Sequence, residues 1–325
     1  MKIAKLVGSI AAALTATFCC QSWGQSVYPD RPVRVVVGVA PGQTTDILAR
    51  MLATSLTKSL GQSFFVENKP GAGATLGPDF VSKARPDGYT LLVSSSGPFA
   101  ISPALQRKLP YDPVKDFAPI GNAFTLPLFL AVNHDFPGSE VRDFVAAAKA
   151  NPGKLNYAST GTGTTGHLGM EFFKSVTGIS LVHVPYKGAP AAMNDLIAGL
   201  VQATFDFGPV VLPQAKAGRI KVLGVASMFR SKAAPTIPTV SEVGVPGFQA
   251  GTFIALFAPA GTPRPIIDKL NQELAKALKA PEIEDFMLAA AGDITGGSPE
   301  DMAALVRKEM AQWGKVVRDA NIQPD

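Results

Sequence analysis

The sequence is poor in cysteine, histidine and charge. Its 325 residues hold two cysteines, three histidines and 17% charged residues, where an ordinary soluble domain carries roughly 25% charge. Both cysteines, Cys19 and Cys20, sit inside the first apolar stretch. A chain cut beyond them has no thiol for catalysis and no disulfide, and it must be held together by its core. A chain of this length can do so, because it buries roughly three quarters of its unfolded surface. Basic residues are scattered without long runs and the formal net charge is only +5, so nothing is built to track a nucleic acid. Beyond the first stretch no apolar run approaches the roughly 18 residues of a membrane span.

That first stretch has the three parts of a secretory signal. Lys2 and Lys5 give a positive start, Leu6 to Cys20 an apolar run, and Ser22 and Gly24 small residues before a cut near Gln25. The expectation is a signal peptide over 1–25, cleaved near 24–26, and a protein exported to the periplasm. Loss of Lys2 and Lys5 lowers the formal charge to +3.

The rest alternates between strand and helix patterns. Val33 to Val39 is an apolar run suited to a strand buried on both faces. Pro41-Gly42 then turns into a helix with Ile47, Leu48, Met51, Leu52 and Leu56 on one stripe, closed by Gly61. A strand at Phe64 to Glu67, a helix at Thr75 to Ala84 and a strand at Tyr89 to Val93 complete a β-α-β-α-β unit, which implies parallel strands. A second series starts near Leu128, with strands at Phe129 to Val132, Leu155 to Ala158, Leu181 to Val184, Ala203 to Phe207 and Val222 to Ala226. Helices are expected to begin near Ser139, Thr164 and Pro190. Pro235 to Pro265 reads as the chain crossing back, with a β-like stretch at Thr252 to Phe257. The tail reads as a helix from Pro265 to Lys279 and another opened by Ser298 and Pro299. The expected fold is therefore α/β, two doubly wound domains. The first part of domain one covers 27–123, domain two 124–246, and the second part of domain one 247–325.

Three strand ends open into loops of glycine and hydroxyl residues: Gly42, Gln43, Thr44 and Thr45; Ser94, Ser95 and Ser96; and Ser159, Thr160, Gly161, Thr162, Gly163 and Thr164. In an open α/β sheet, ligands sit outside the carboxyl ends of strands, where helix N-termini aim unpaired N–H groups and a positive dipole end. A small carboxylate suits that place. Hydrogen bonds to a charged group contribute roughly 1.5 to 3 kcal/mol each, so four or five give about 6 to 15 gross. Micromolar binding needs about 8 kcal/mol net, and an arginine clamp is optional. His167, in the first turn after the third loop, is placed to reach the same gap. Asp206, an acid between Phe205 and Phe207 at a strand end, is a candidate acceptor for a ligand amine or hydroxyl, or a cap or internal ion-pair partner. Asp46 and Arg50 are spaced to pair on one helix face.

Other chemistries lack their parts. Gly161-Thr162-Gly163-Thr164-Thr165-Gly166 matches a dinucleotide fingerprint, but the acid expected about 20 positions on is replaced by Pro185-Tyr186-Lys187. No nucleophile elbow or H-E-x-x-H occurs, and His134, His167 and His183 are far apart in sequence. His167 and Glu171 could present two metal ligands, but a third is not visible. No cofactor, no metal and no catalysis are expected. An exported hydrolase or oxidoreductase using the same gap is the rival from another class.

A set of short motifs in fixed order carries a resemblance: Pro41-Gly42 with Asp46 and Ala49-Arg50; Glu67-Asn68-Lys69-Pro70-Gly71-Ala72-Gly73; Pro86-Asp87-Gly88-Tyr89-Thr90; Asp116-Phe117-Ala118-Pro119; Asn156-Tyr157-Ala158-Ser159; His183-Val184-Pro185-Tyr186-Lys187-Gly188; and Ala258-Pro259-Ala260-Gly261-Thr262-Pro263. Together they resemble the receptors of the tripartite tricarboxylate transporters, the Bug proteins, from about Tyr28 to the last helix. The resemblance implies a type II periplasmic binding protein with two crossover connections. It also implies a small carboxylate as ligand (a dicarboxylate or tricarboxylate, an aromatic acid or an acidic amino acid), a membrane permease as partner, and a monomer. A receptor that presents its ligand to a sensor protein fits the same resemblance. It puts the three loops around the ligand and Asp206 where some members set selectivity. The chain departs from the pattern at Gln43, where a second glycine is common, and at Phe253, where tryptophan is frequent.

Overall fold

A computed structural model describes residues 28–105 and 108–322. The expected signal peptide, with Cys19 and Cys20, lies outside the described residues. All elements below belong to one compact unit, Arg31–Asp325.

The first three strands, β1 (Val33–Val37), β2 (Phe64–Asn68) and β3 (Thr90–Ser95), are parallel, with helices α1 (Thr44–Leu60) and α2 (Leu76–Ser82) on the crossovers. α1 forms because its apolar residues recur at helical spacing and bury Leu48, Leu52 and Leu56. It ends where Gly61 takes φ +71°, a left-handed turn that glycine adopts without strain. Two short helical segments, Gly97–Ile101 and Ser102–Ala104, follow β3.

Next comes β4 (Phe117–Asn133), 17 residues long. The sequence pattern marked only Phe129 to Val132, since Pro119, Gly121 and Pro127 interrupt the apolar run. The strand tolerates them with register shifts at Pro119/Gly121 and Asn122/Phe124. α3 (Val141–Ala150), β5 (Asn156–Ser159), α4 (Thr165–Thr177), β6 (Val182–Pro185), α5 (Ala189–Ile197), β7 (Ala203–Phe207), α6 (Gly208–Lys216) and β8 (Ile220–Val225) follow. α3 is closed at its start by a capping box of Glu140 and Asp143, not by Ser139. The chain then returns to β9 (Gly251–Pro259), α7 (Arg264–Ala277), α8 (Pro281–Ala289), β10 (Asp293–Ile294) and α9 (Pro299–Asp319). Ser298 caps α9 in a box with Asp301, as its sequence suggests. α6, α8 and β10 carry too short a pattern to be read from sequence.

The strands run in the order β2-β1-β3-β9-β4-β7-β5-β6, with β8 and β10 also on β4. β4 serves both halves of this array. Its first part, Phe117 to Pro127, pairs with β9, and its last part, Leu128 to Asn133, pairs with β7 and β8. One apolar cluster joins Val36, Leu92, Phe99 and Phe257 to Met302 and Val306 of α9. Another joins Leu128, Leu130 and Phe205 to Leu168 and Phe173 of α4 and Trp313 of α9. This is the α/β, doubly wound architecture expected.

α4 lies close on β7. A Cβ built on Gly166 would stand 2.4 Å from the carbonyl oxygen of Phe205, a backbone atom that cannot turn aside. Gly166→Ala is expected to destabilise the fold by about 1–3 kcal/mol through overpacking, read as a lower urea midpoint; an unchanged midpoint would show that α4 has room to slide.

Candidate functional site

The registers fix where the strand ends point. Ser95 pairs with Ile254 of β9, which pairs with Phe124 of β4. β1 is parallel to β3 and ends at the same level, Val37 beside Val93. From the other side, Phe207 at the end of β7 pairs with Leu128 of β4, and β5 runs parallel to β7. The carboxyl ends of both sets therefore face each other along β4. Four residue steps, from Phe124 to Leu128, separate their levels, about 13 Å at 3.3 Å per residue. The two sides also touch, since a Cβ on Gly163 would meet the Leu105 side chain at 2.9 Å.

Each loop divides its polar groups between holding itself and facing outward. In the first, Gly42 takes φ +84° and donates its N–H to Asp46 Oδ2 at 2.9 Å. Asp46 also accepts from Arg50 Nε at 3.0 Å and from Asn68 Nδ2 at 2.7 Å. Burial alone would raise this carboxyl, but hydrogen bonds from Arg50, Gly42 and Asn68 outweigh it and hold the group below the usual range. The pairing of Asp46 with Arg50 is as the spacing suggested, and Asn68, unmarked by sequence, completes it. Gln43 occupies the cap position without a side-chain cap bond. The hydroxyls of Thr44 and Thr45 make no hydrogen bond among the described residues.

In the second loop Ser94 and Ser95 keep free hydroxyls by the same criterion. Ser96 does not share their setting. It is 0% exposed, and its Oγ accepts the Phe253 N–H at 2.9 Å while facing the Glu309 carboxyl of α9. Ser96 is an internal brace between β9 and α9, and Phe253 packs as a core residue where the family pattern has tryptophan.

In the third loop Ser159 and Thr164 turn inward. Thr164 Oγ1 donates to the Gly161 carbonyl at 2.7 Å and caps α4. Ser159 Oγ lies 2.7 Å from His183 Nε2 and accepts the Gly161 N–H at 3.2 Å. Gly161 and Gly163 both take positive φ. Thr160 and Thr162, between these anchors, are half-buried, and their hydroxyls have no partner among the described residues.

His167 is turned inward instead of toward the gap. It is 4% exposed, its Nδ1 accepts the Gly163 N–H at 3.0 Å, and its ring stacks on His183 at 3.9 Å. Burial, with His183 and Lys174 nearby, holds its pKa down to about 3, so the ring is neutral. His167 and His183, far apart in sequence, thus form one stack with Tyr157. The fold also places a serine against a histidine, which the sequence did not reveal. Glu171, the carboxylate of that cluster, is taken by Tyr157 Oη at 2.5 Å and Lys174 Nζ at 2.6 Å. His183 donates no hydrogen bond to it among the described residues. Ser159 is 1% exposed. Buried and bonded to Gly161 and His183, this hydroxyl anchors the loop from within.

Asp206 sits at the end of β7 opposite Phe129, 7% exposed. Its Oδ1 accepts the Phe207 N–H at 2.8 Å, and it makes no other hydrogen bond and no ion pair among the described residues. Burial pushes its pKa up to about 6, against the lowering effect of that one bond. Folding thus favours the protonated acid, so its contribution is fully present below pH about 4 and is lost as pH rises through about 6. A shift of this size is worth up to about 3 kcal/mol. Asp206→Asn is expected to raise the thermal midpoint at pH 8 and to flatten its fall between pH 5 and 8; a variant whose pH profile parallels the parent's would show that the carboxyl is solvated or paired.

The family model described as the tripartite tricarboxylate transporter family receptor matches residues 48–322. A solved protein of R. palustris, Rpa4515 with adipate, is 36% identical with a TM-score of 0.76, covering 92% of this chain and 100% of that one. MatC from Rhodopseudomonas palustris with bound malate is 33% identical with a TM-score of 0.71, over 89% and 100%. The periplasmic binding protein BugD is 35% identical with a TM-score of 0.71, over 92% and 100%. The α/β array of this chain is thus the periplasmic binding protein fold, and the chain belongs to the tripartite tricarboxylate transporter receptor family.

Proposed function

We propose that this chain is a periplasmic solute receptor, acting as a monomer without catalysis, that takes a small dicarboxylate between its two halves and passes it to a membrane permease of the tripartite tricarboxylate type. In this reading 27–123 with 247–325 form one lobe and 124–246 the other. The lobes close about the crossing at Leu126 to Leu128 and around the Thr44–Thr45, Ser94–Ser95 and Thr160–Thr162 loops. The observation that carries it is the row of hydroxyls without internal partners, Thr44, Thr45, Ser94, Ser95, Thr160 and Thr162, at strand ends that face one another. These donors, with first-turn N–H groups of α1 and α4, match the charge of a carboxylate. The gap of about 13 Å along β4 fits a chain with an acid at each end. Relatives solved with adipate and malate bind that class.

Asp206, a protonatable acid at the edge of the gap, suits a second ligand carboxylate or a ligand hydroxyl, since its neutral form donates and its ionised form accepts. The enzyme alternative has less support, because Ser159, the serine set against a histidine, is buried.

A thermal-shift panel of mono-, di- and tricarboxylates, aromatic acids and acidic amino acids tests the reading. A ligand at about 100 times its dissociation constant adds roughly 2.7 kcal/mol, and four- to six-carbon dicarboxylates are expected to give the largest rise. Thr160→Val and Thr162→Val are each expected to weaken binding about tenfold or more, because each removes a hydrogen bond to charge, with the unliganded midpoint unchanged. Silence across the panel, or conversion of any compound to product, overturns the proposal.

A further inference from the structure

A cavity of about 610 Å³ is lined by none of the hydroxyl residues proposed for the gap. Its walls come from β4 and β9 where those strands cross between the halves (Thr125, Pro127, Gly251, Thr252), from the segment after β8, and from α9. This volume falls within the roughly 300–1,000 Å³ of small-molecule sites.

The lining has two characters. Pro127, Ile294, Leu305, Met228, Phe229 and Trp313 make an apolar body. Around it stand Arg230, Lys232 and Lys308. Arg230 is engaged by Glu242 at 3.0 Å, while Lys232 and Lys308 make no ion pair within 4 Å among the described residues. The acids present are Asp293 and Glu309. Burial raises both, Asp293 against the pull of Lys232 and Glu309 to about 7 against the pull of Ser96, Trp313 and Lys308, so Glu309 gives up part of its charge near neutral pH. The result is an apolar chamber with a cationic rim.

From this geometry we infer a second binding site, specific for an amphipathic anion with a flat or chain-like apolar body and one acidic group, seated against both crossing strands. The body would lie along Phe229 and Ile294, above the buried Trp313 ring, and the acid between Lys232 and Lys308. The site has a built connection to the loops. Glu309, in its wall, reaches Ser96, whose hydroxyl receives the Phe253 N–H. An occupant pressing on Glu309 therefore presses on the end of β3. Recognition here does not depend on the dicarboxylate reading, because it uses different residues.

Trp313 supplies the assay. The sequence has two tryptophans, Trp23 and Trp313, so the full chain carrying Trp23→Phe reports on the cavity alone. The probe is 8-anilinonaphthalene-1-sulfonate, an aromatic monoanion. Saturable one-to-one quenching of Trp313 emission with energy transfer to the probe is expected. Lys232→Glu and Lys308→Glu should each weaken it about fivefold or more, as charge reversal beside an exposed cation would. The pair Thr160→Val and Thr162→Val should leave it unchanged. The inference fails if quenching does not saturate, if both charge reversals bind as the parent does, or if the threonine pair abolishes binding, which would move the probe to the gap between the loops.

Discussion

β4 is the element on which the rest of the molecule depends. A strand of 17 residues is about twice as long as its neighbour β9 and more than three times as long as its neighbour β7, and no single sheet needs it. Its length lets β9 pair with its first part and β7 and β8 with its last, so two parallel sets end toward each other on one backbone. Because backbone pairing advances in whole residues, the spacing between those ends is quantised by register. The four residue steps from Phe124 to Leu128 set a gap that a small molecule can bridge. Pro127 in that interval removes one backbone donor where the pairing partner changes.

The electrostatics of the gap follow from what the fold keeps out of it. The arginine nearest the first loop, Arg50, is bound to Asp46 and Asn68, and Lys174 is bound to Glu171. The donors proposed for the gap are hydroxyls and helix-end N–H groups, which carry partial charge. Such donors require little desolvation when the site is empty, whereas a buried cation without a partner would be costly. The exchange suits a receptor that must release what it holds. A carboxylate held by several moderate hydrogen bonds leaves as they are broken one after another, while a buried ion pair must be separated at once.

Much of this was legible in sequence because it rests on local rules. The run Val33 to Val37, the stripe Leu48, Leu52, Leu56, the Gly61 terminus and the Ser298 cap each obey a periodicity or a capping rule within one turn or strand. The loops were legible too, since glycine beside threonine at a strand end has few other uses. What sequence did not show was non-local. β4 was foreshortened because Pro119, Gly121 and Pro127 look like breaks until β9 is seen to bridge them with register shifts. The turning inward of His167 depends on His183 stacking from a strand 16 residues on. Ser96 looked like its neighbours until the Phe253 N–H, 157 residues away, was found on its hydroxyl.

The alternation within the third loop orders it before any ligand arrives. Ser159 and Thr164 are spent on Gly161, and Gly163 is spent on His167, so every second or third residue is fixed from behind. Thr160 and Thr162 lie between fixed points and inherit their positions without using their own hydroxyls. A loop ordered before the ligand arrives loses less conformational freedom on binding, where each immobilised side chain otherwise costs about 0.5 to 1.5 kcal/mol. The neutral His167 ring serves the same end, because an imidazolium there would repel the Gly163 N–H it must accept. Removing that ring would therefore loosen Thr162 without touching any ligand atom. His167, which sequence placed in the gap, governs the site from behind it.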